Sequence, residues 1–191
     1  MRKRGQAPKF LYETCASGGV ELRAPSWADF ESWVSLRASN QTYLQPWEPT
    51  FTQGHLKHAT YKTRLSRFKK LTAEDKAYPF YIFRVDTNAL VGACNLTQIQ
   101  RGSSQSGHIG YWVGEGFSRQ GFARAAVRAA LKFAFTDLRL RRISAAVQAD
   151  NEASIKLLEN LGFAQEGLAR DYLKIDGRWR DHVIFAKLST D

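Results

Sequence analysis

The sequence predicts a single α/β domain built on one mixed, mostly antiparallel β-sheet with flanking helices. Three observations predict it. Between Tyr78 and Val113, three strand-like segments follow one another with only turns and loops between them. After Phe122, helical and strand-like segments alternate, the pattern of a sheet covered by helices. The 191 residues, 43% hydrophobic and 24% charged, have the size and balance of one domain with one continuous core. No repeat or low-complexity linker divides them.

Each element has its own signal. Val20-Glu21-Leu22-Arg23 alternates apolar and polar residues, as a half-buried strand does. Ser26 fits a helix N-cap, with Asp29 three residues on as its capping-box partner, and Phe30, Trp33, Val34 and the stem of Arg37 share a face of the helix that follows. Residues 40–50 hold two prolines and read as a loop. Leu56, Leu65, Phe68 and Leu71 mark a second, strongly basic helix. Tyr78–Val85 is aromatic and β-branched, Asp86-Thr87-Asn88 supplies a turn, and Leu90–Thr97 returns. A Gly/Ser-rich loop leads to a strand at His108–Val113, and a glycine-rich loop at Gly114–Gly121 follows. From Phe122 small residues dominate, with Val127, Ala130, Leu131, Ala134 and Leu138 on one helical face. Ile143–Val147 is another strand. Asn151–Leu161 is a short helix stopped by Gly162. Phe163–Leu188 folds as two strands around an Asp176-Gly177 turn.

Composition narrows the function. No apolar run approaches the ~20 residues that cross a bilayer. The basic start, Met1-Arg2-Lys3-Arg4, leads into no apolar stretch of a secretory signal, so a cytoplasmic protein with Cys15 and Cys94 reduced is expected. Neither the cysteines nor the four histidines have metal-ligand spacing, and no metal is expected. The net charge of +10 serves general solubility or an anionic partner, a phosphorylated cofactor or RNA. The charge gathers at Lys57, Lys62, Arg64, Arg67, Lys69 and Lys70, and again at Arg139, Arg141 and Arg142; both groups can equally be solvated faces.

The chemistry gathers in two places. Tyr111–Arg128 reads as strand, glycine-bearing loop and helix, which leaves unpaired N–H groups converging at the helix start, an anion site strengthened by the helix dipole. Gly121 lets the backbone come close to a diphosphate, Ala123 leaves room in the first turn, and Arg119 and Arg124 add positive charge. The nucleotide P-loop and dinucleotide patterns are absent. About 30 residues later, Asn151 and Ser154 lie three apart at a helix start. Asn151 either caps that helix or, with Ser154, holds the amides of an extended ligand.

Ser118-Arg119-Gln120-Gly121-Phe122-Ala123, Asn151-x-x-Ser154 and Leu161-Gly162-Phe163 together resemble the GNAT acetyltransferase superfamily. Ser118 departs from the family's usual Gln or Arg; Gly121 and Ala123 match. Tyr43-Leu44-Gln45-Pro46-Trp47-Glu48-Pro49, and the stretch from Asp171-Tyr172 through Asp176-Gly177-Arg178-Trp179-Arg180-Asp181-His182-Val183, are similar to the RimJ/RimL branch, on the RimJ side, of ribosomal-protein alanine N-acetyltransferases. The likeness covers residues 18–188, the expected domain.

That resemblance implies a fold in which two parallel strands, His108–Val113 and Ile143–Val147, splay apart to admit the pantetheine arm of acetyl-CoA. It implies cofactor contacts from Tyr111, Trp112, Val113, Arg119, Gln120, Gly121, Phe122, Ala123, Arg124, Asn151 and Ser154. Many relatives place a tyrosine seven residues after the Asn151 position; here that residue is Leu158, so Ser154 is the expected acid or hydrogen-bond donor to the leaving sulfur. Glu48 and Asp171 are the candidate bases, although Glu48 can also brace its loop and Asp171 can pair with an arginine. Tyr43, Trp47, Glu48 and Tyr172 are expected to line the acceptor entrance. The expected acceptor is the N-terminal amine of a ribosomal protein starting with Ala or Ser. A small-molecule amine acetyltransferase, or a ribosome- or RNA-binding assembly factor with vestigial transfer, stands as the alternative. The chain is expected to be a monomer or a homodimer.

Overall fold

A computed structural model describes residues 5–191; the basic start, Met1–Arg4, lies outside them. The chain forms one eight-stranded sheet in the order β1-β2-β3-β4-β5-β6-β8-β7. The strands are β1 (Leu11–Cys15), β2 (Gly18–Arg23), β3 (Tyr78–Arg84), β4 (Leu90–Gln100), β5 (Ser106–Val113), β6 (Arg142–Gln148), β7 (Ala164–Ile175) and β8 (Arg178–Leu188). The helices are α1 (Phe30–Ser39), α2 (Gln41–Leu44), α3 (His58–Ala73), α4 (Phe122–Lys132) and α5 (Glu152–Glu159). Every neighbouring pair is antiparallel except β5–β6, which is parallel. No helix among the described residues is long and apolar enough to cross a membrane.

The sheet separates two apolar layers. On one face, Ala125, Ala126, Ala129 and Ala130 let α4 sit close against β-strand residues such as Val20, Leu22, Cys94 and Leu96. On the other, Phe30, Trp33 and Leu36 of α1 meet Tyr61 of α3 over Tyr81, Phe83 and Ala93. Strand β3 is buried from Tyr78 to Phe83, as a central strand covered on both faces must be. Ahead of α1, the Ser26 N–H and hydroxyl both donate to Asp29 Oδ2 at 2.8 Å, and the Arg23 guanidinium holds Oδ1 at 2.9 Å.

Three local expectations change. An edge strand, β1, precedes β2; Glu13 stands between inward-facing Leu11 and Cys15, and this carboxylate, which pairs with Arg128 of α4 at 3.4 Å, hid the alternation. The 40–50 segment is not an open loop. It holds α2 and a 3-10 turn at Gln45–Trp47 with Pro46 in its first turn, where no N–H is needed. The helix carrying the small residues ends at Lys132 and widens into a π-type turn over Phe133–Asp137. The Asp176-Gly177 turn forms as expected, both residues at positive φ (43° and 76°) between β7 and β8.

Candidate active site

Strands β5 and β6 pair over only three positions, Ser106–Arg142, Gly107–Ile143 and His108–Ser144. Beyond His108 they part, while β4 holds β5 as far as Val113 and β8 holds β6 as far as Gln148. The half of β5 from Ile109 to Val113 therefore has no strand on its β6 side, and its outward backbone groups are open to a ligand. A cleft of about 840 Å³ opens there.

One end of the cleft is the N-terminus of α4. Gly121 is its N-cap at φ 87°, and no side chain caps the helix. The first-turn N–H groups of Phe122, Ala123 and Arg124 are thus left to whatever enters the cleft. Arg119 and Arg124 border them, and neither pairs with a carboxylate among the described residues. Glycine is needed at 121 for its left-handed backbone and because an added Cβ would lie 3.1 Å from Cys15 Cβ. These features fit an extended ligand ending in a diphosphate.

The middle of the cleft is bordered by Tyr111, Trp112 and Val113 of β5 and by Asn151 and Ser154 of α5. Asn151 caps α5, its Oδ1 accepting from the Ser154 N–H at 3.1 Å. The Tyr111 hydroxyl donates to the Ser154 carbonyl over 3.5 Å. Burial pushes this phenol up to about 12, so it remains a donor throughout the neutral range. Leu158 is fully buried in the core and takes no part.

Tyr43, Trp47 and Glu48 form the far wall. Their segment is held from three sides. The Gln148 side-chain amide donates to Pro46 O at 2.7 Å, Gln45 Nε2 donates to Asp176 Oδ1 at 3.0 Å, and the Asp176 N–H donates to Glu48 O at 3.0 Å. Both Glu48 carboxylate oxygens accept from Arg37, at 2.8 and 2.6 Å. Arg37 is nearly buried, with its guanidinium over the rings of Phe51 and Trp112 at 4.8 and 5.1 Å.

The cleft thus gathers most of the residues singled out in the sequence, but not all. Gln120 does not line it; its side chain turns back to Gly116 O at 2.7 Å. Asp171 and Tyr172 do not line it; they sit on β7 where the β7–β8 register shifts between Ala169 and Leu173, Asp171 at φ 45°. The exposed Asp171 donates its N–H to Asp181 Oδ1 at 2.9 Å, and Tyr172 packs edge-to-face on His182, 5.7 Å between centroids. The sequence gives Arg37, Gln148 and His182 no part in the site. All three are polar and at most 9% exposed. In the sequence pattern Arg37 stands out only for the stem that continues the apolar face of α1. Gln148 and His182, opposite each other across β6–β8, could have been noticed as polar residues in strands bound for a sheet interior.

The family model for the Acetyltransferase (GNAT) domain matches residues 20–164. The chain belongs to the GNAT acetyltransferase family. It is 33% identical over 165 residues to the [Ribosomal protein uS5]-alanine N-acetyltransferase of Escherichia coli, covering 85% of each chain. Among solved structures, RimJ of Mycobacterium smegmatis in complex with CoA-disulfide superposes with a TM-score of 0.90 at 30% identity, covering 95% of this chain and 87% of that one. The ribosomal-protein-S5-alanine acetyltransferase of Vibrio fischeri gives 0.84 at 30% identity, covering 90% and 94%. This GNAT protein is accordingly an acetyl-CoA-dependent N-acetyltransferase, similar to the RimJ-type members of the family. Among the described residues, no group of three or more His, Cys, Asp or Glu could hold a metal ion.

Proposed function

We propose that this GNAT protein transfers the acetyl group of acetyl-CoA to the N-terminal α-amine of a protein, a ribosomal protein beginning with Ala or Ser. The observation that carries this reading is the parting of β5 from β6 beyond His108, directly beside the uncapped start of α4. The α4 amides with Arg119 and Arg124 would take the diphosphate, and the open edge of β5 with Asn151 would take the pantetheine amides. The amine attacks the acetyl carbonyl carbon, the carbon–sulfur bond breaks, and the sulfur leaves as the thiolate. A backbone N–H of β5 near Val113 would meet the charge growing on the carbonyl oxygen, an interaction worth about 3 kcal/mol in comparable sites. Ser154, with the Tyr111 phenol beside its carbonyl, would stabilise the departing sulfur.

An α-amine suits this cleft because it needs little help to lose its proton. With a pKa of ~7.7–8.0, roughly a tenth of α-amines are neutral near pH 7, against about one lysine in 2,500. Glu48, although paired with Arg37, would draw in the ammonium and pass its proton to water. Asp171 and Tyr172 keep a role only if β7 moves toward the cleft when the acceptor binds. Trp47 and Tyr43, which border the cleft, would leave room only for a small first side chain. The exposed cations of α3, Lys62, Lys69 and Lys70, support a contact with ribosomal RNA, which would place the reaction in the cytoplasm. We take the functional domain to run from 18 to 188, since β7 and β8 help hold the acceptor wall.

A peptide panel with free or blocked N-termini and varied first residues tests this reading, with thiol release as the readout. Free Ala and Ser peptides should react fastest. Equal rates on an N-terminally blocked, lysine-containing peptide would overturn it.

A further inference from the structure

Beside the cleft lies a second cavity of about 540 Å³, between α1, α3 and the strands β3 and β4. Three arginines line it, Arg37, Arg64 and Arg67, against a single carboxylate, Glu48, and Arg37 already holds both oxygens of that carboxylate. Among the described residues, neither Arg64 nor Arg67 pairs with a carboxylate. Arg64 and Arg67 lie three apart on α3 and so share a face. The Arg64 guanidinium packs over Trp33 and Phe68 at 5.4 and 5.0 Å, and its buried Nε has no hydrogen-bond partner among the described residues. A buried donor without an acceptor is costly unless a ligand satisfies it.

The cavity adjoins the reaction centre. Glu48 lines both spaces. Its floor includes Asn95 and Thr97, which stand opposite Gly110 and His108 in the β4–β5 register, one strand from the edge where β5 splays. Strand spacing is about 4.8 Å and an extended residue spans about 3.4 Å, so an extended acceptor that runs from the cleft past Glu48 would bring the residues just after its first within reach of the cavity.

We propose that this cavity is an acceptor subsite for an acidic side chain, with Arg64 and Arg67 binding the carboxylate of an Asp or Glu that follows the acetylated residue by about one to three positions. The inference rests on the α-amine reading above. It makes the enzyme selective for acidic N-terminal segments, and it gives the two arginines in the middle of α3 a task other than contact with RNA.

The test uses peptides that all begin with Ala and carry Glu, Gln or Lys at positions two to four. The full-length enzyme should show kcat/KM about tenfold higher for a Glu peptide than for its Gln counterpart, the scale of one charge-assisted pair. Arg67 is exposed, so its variants should fold. Arg67→Gln should remove most of the preference and Arg67→Glu should turn it toward Lys peptides, whereas Lys132→Gln, the same charge loss on α4, should keep it. Equal rates for Glu and Gln peptides in the unaltered enzyme would overturn the proposal, as would a preference that survives Arg67→Glu or is lost equally in Lys132→Gln. If no peptide is acetylated, the α-amine reading fails by itself. Calorimetric titration of N-terminally blocked peptides then decides the subsite: tighter binding of the Glu peptide sustains it, and equal binding, or displacement of the Glu peptide by a short RNA, overturns it.

Discussion

Ser154 and Arg37 show what single residues in this site depend on. Ser154 was legible because its spacing from Asn151 is local, and the first turn of α5 places both at the cleft. Arg37 was not, because its burial comes from Glu48 eleven positions later and from Trp112 on a distant strand. Ser154→Ala should lower kcat about tenfold and leave KM for acetyl-CoA nearly unchanged, since sulfur gains negative charge only as the bond to carbon breaks. Steady-state kinetics with the acceptor held saturating decide it. A rise in KM with kcat intact would make Ser154 a pantetheine anchor instead.

Among the elements, the start of α4 combines two demands on one glycine. Gly121 takes a left-handed backbone that other residues adopt at a cost of roughly 1–2 kcal/mol, and an added Cβ would press on Cys15 Cβ at 3.1 Å. Gly121→Val should therefore lower the melting temperature by several degrees, at about 2–4 °C per kcal/mol for a chain of this size. In the fraction that folds, it should weaken acetyl-CoA at least tenfold, about 1.4 kcal/mol. Calorimetry at a temperature where the variant is folded separates the two effects. Unchanged affinity would take Gly121 out of the diphosphate site. The strand-glycine-helix order was plain in the sequence, because turn chemistry and helix starts are set by adjacent residues. The length of the β5–β6 pairing was not, since it depends on β4 and β8 drawing the two strands apart.

For the molecule as a whole, the buried phenols set its response to alkali. Burial raises Tyr78 and Tyr111 to about 12, with Asp75 adding to the effect at Tyr78, and raises Tyr61, Tyr81 and the Cys94 thiol as well. An unfolded tyrosine titrates near 10. Above that pH the unfolded chain releases protons that the folded chain keeps, so stability is full below about pH 10 and falls as pH rises toward 12. Urea unfolding from pH 8 to pH 12 should show this decline, and Tyr78→Phe with Tyr111→Phe should make it shallower; a flat profile across that range would be inconsistent with it. By itself the sequence determined the order of most elements, the glycine-led helix start, the capped α5 and the Asp176-Gly177 turn, because each rests on the conformational preferences of neighbouring residues. Only the tertiary structure decided that β5 and β6 part after three pairs, that Arg37 claims Glu48, that Asp171 and Tyr172 do not line the cleft, and that the Arg64 guanidinium packs over Trp33 and Phe68. Those outcomes depend on which distant surfaces pack together, and local periodicity carries no record of that.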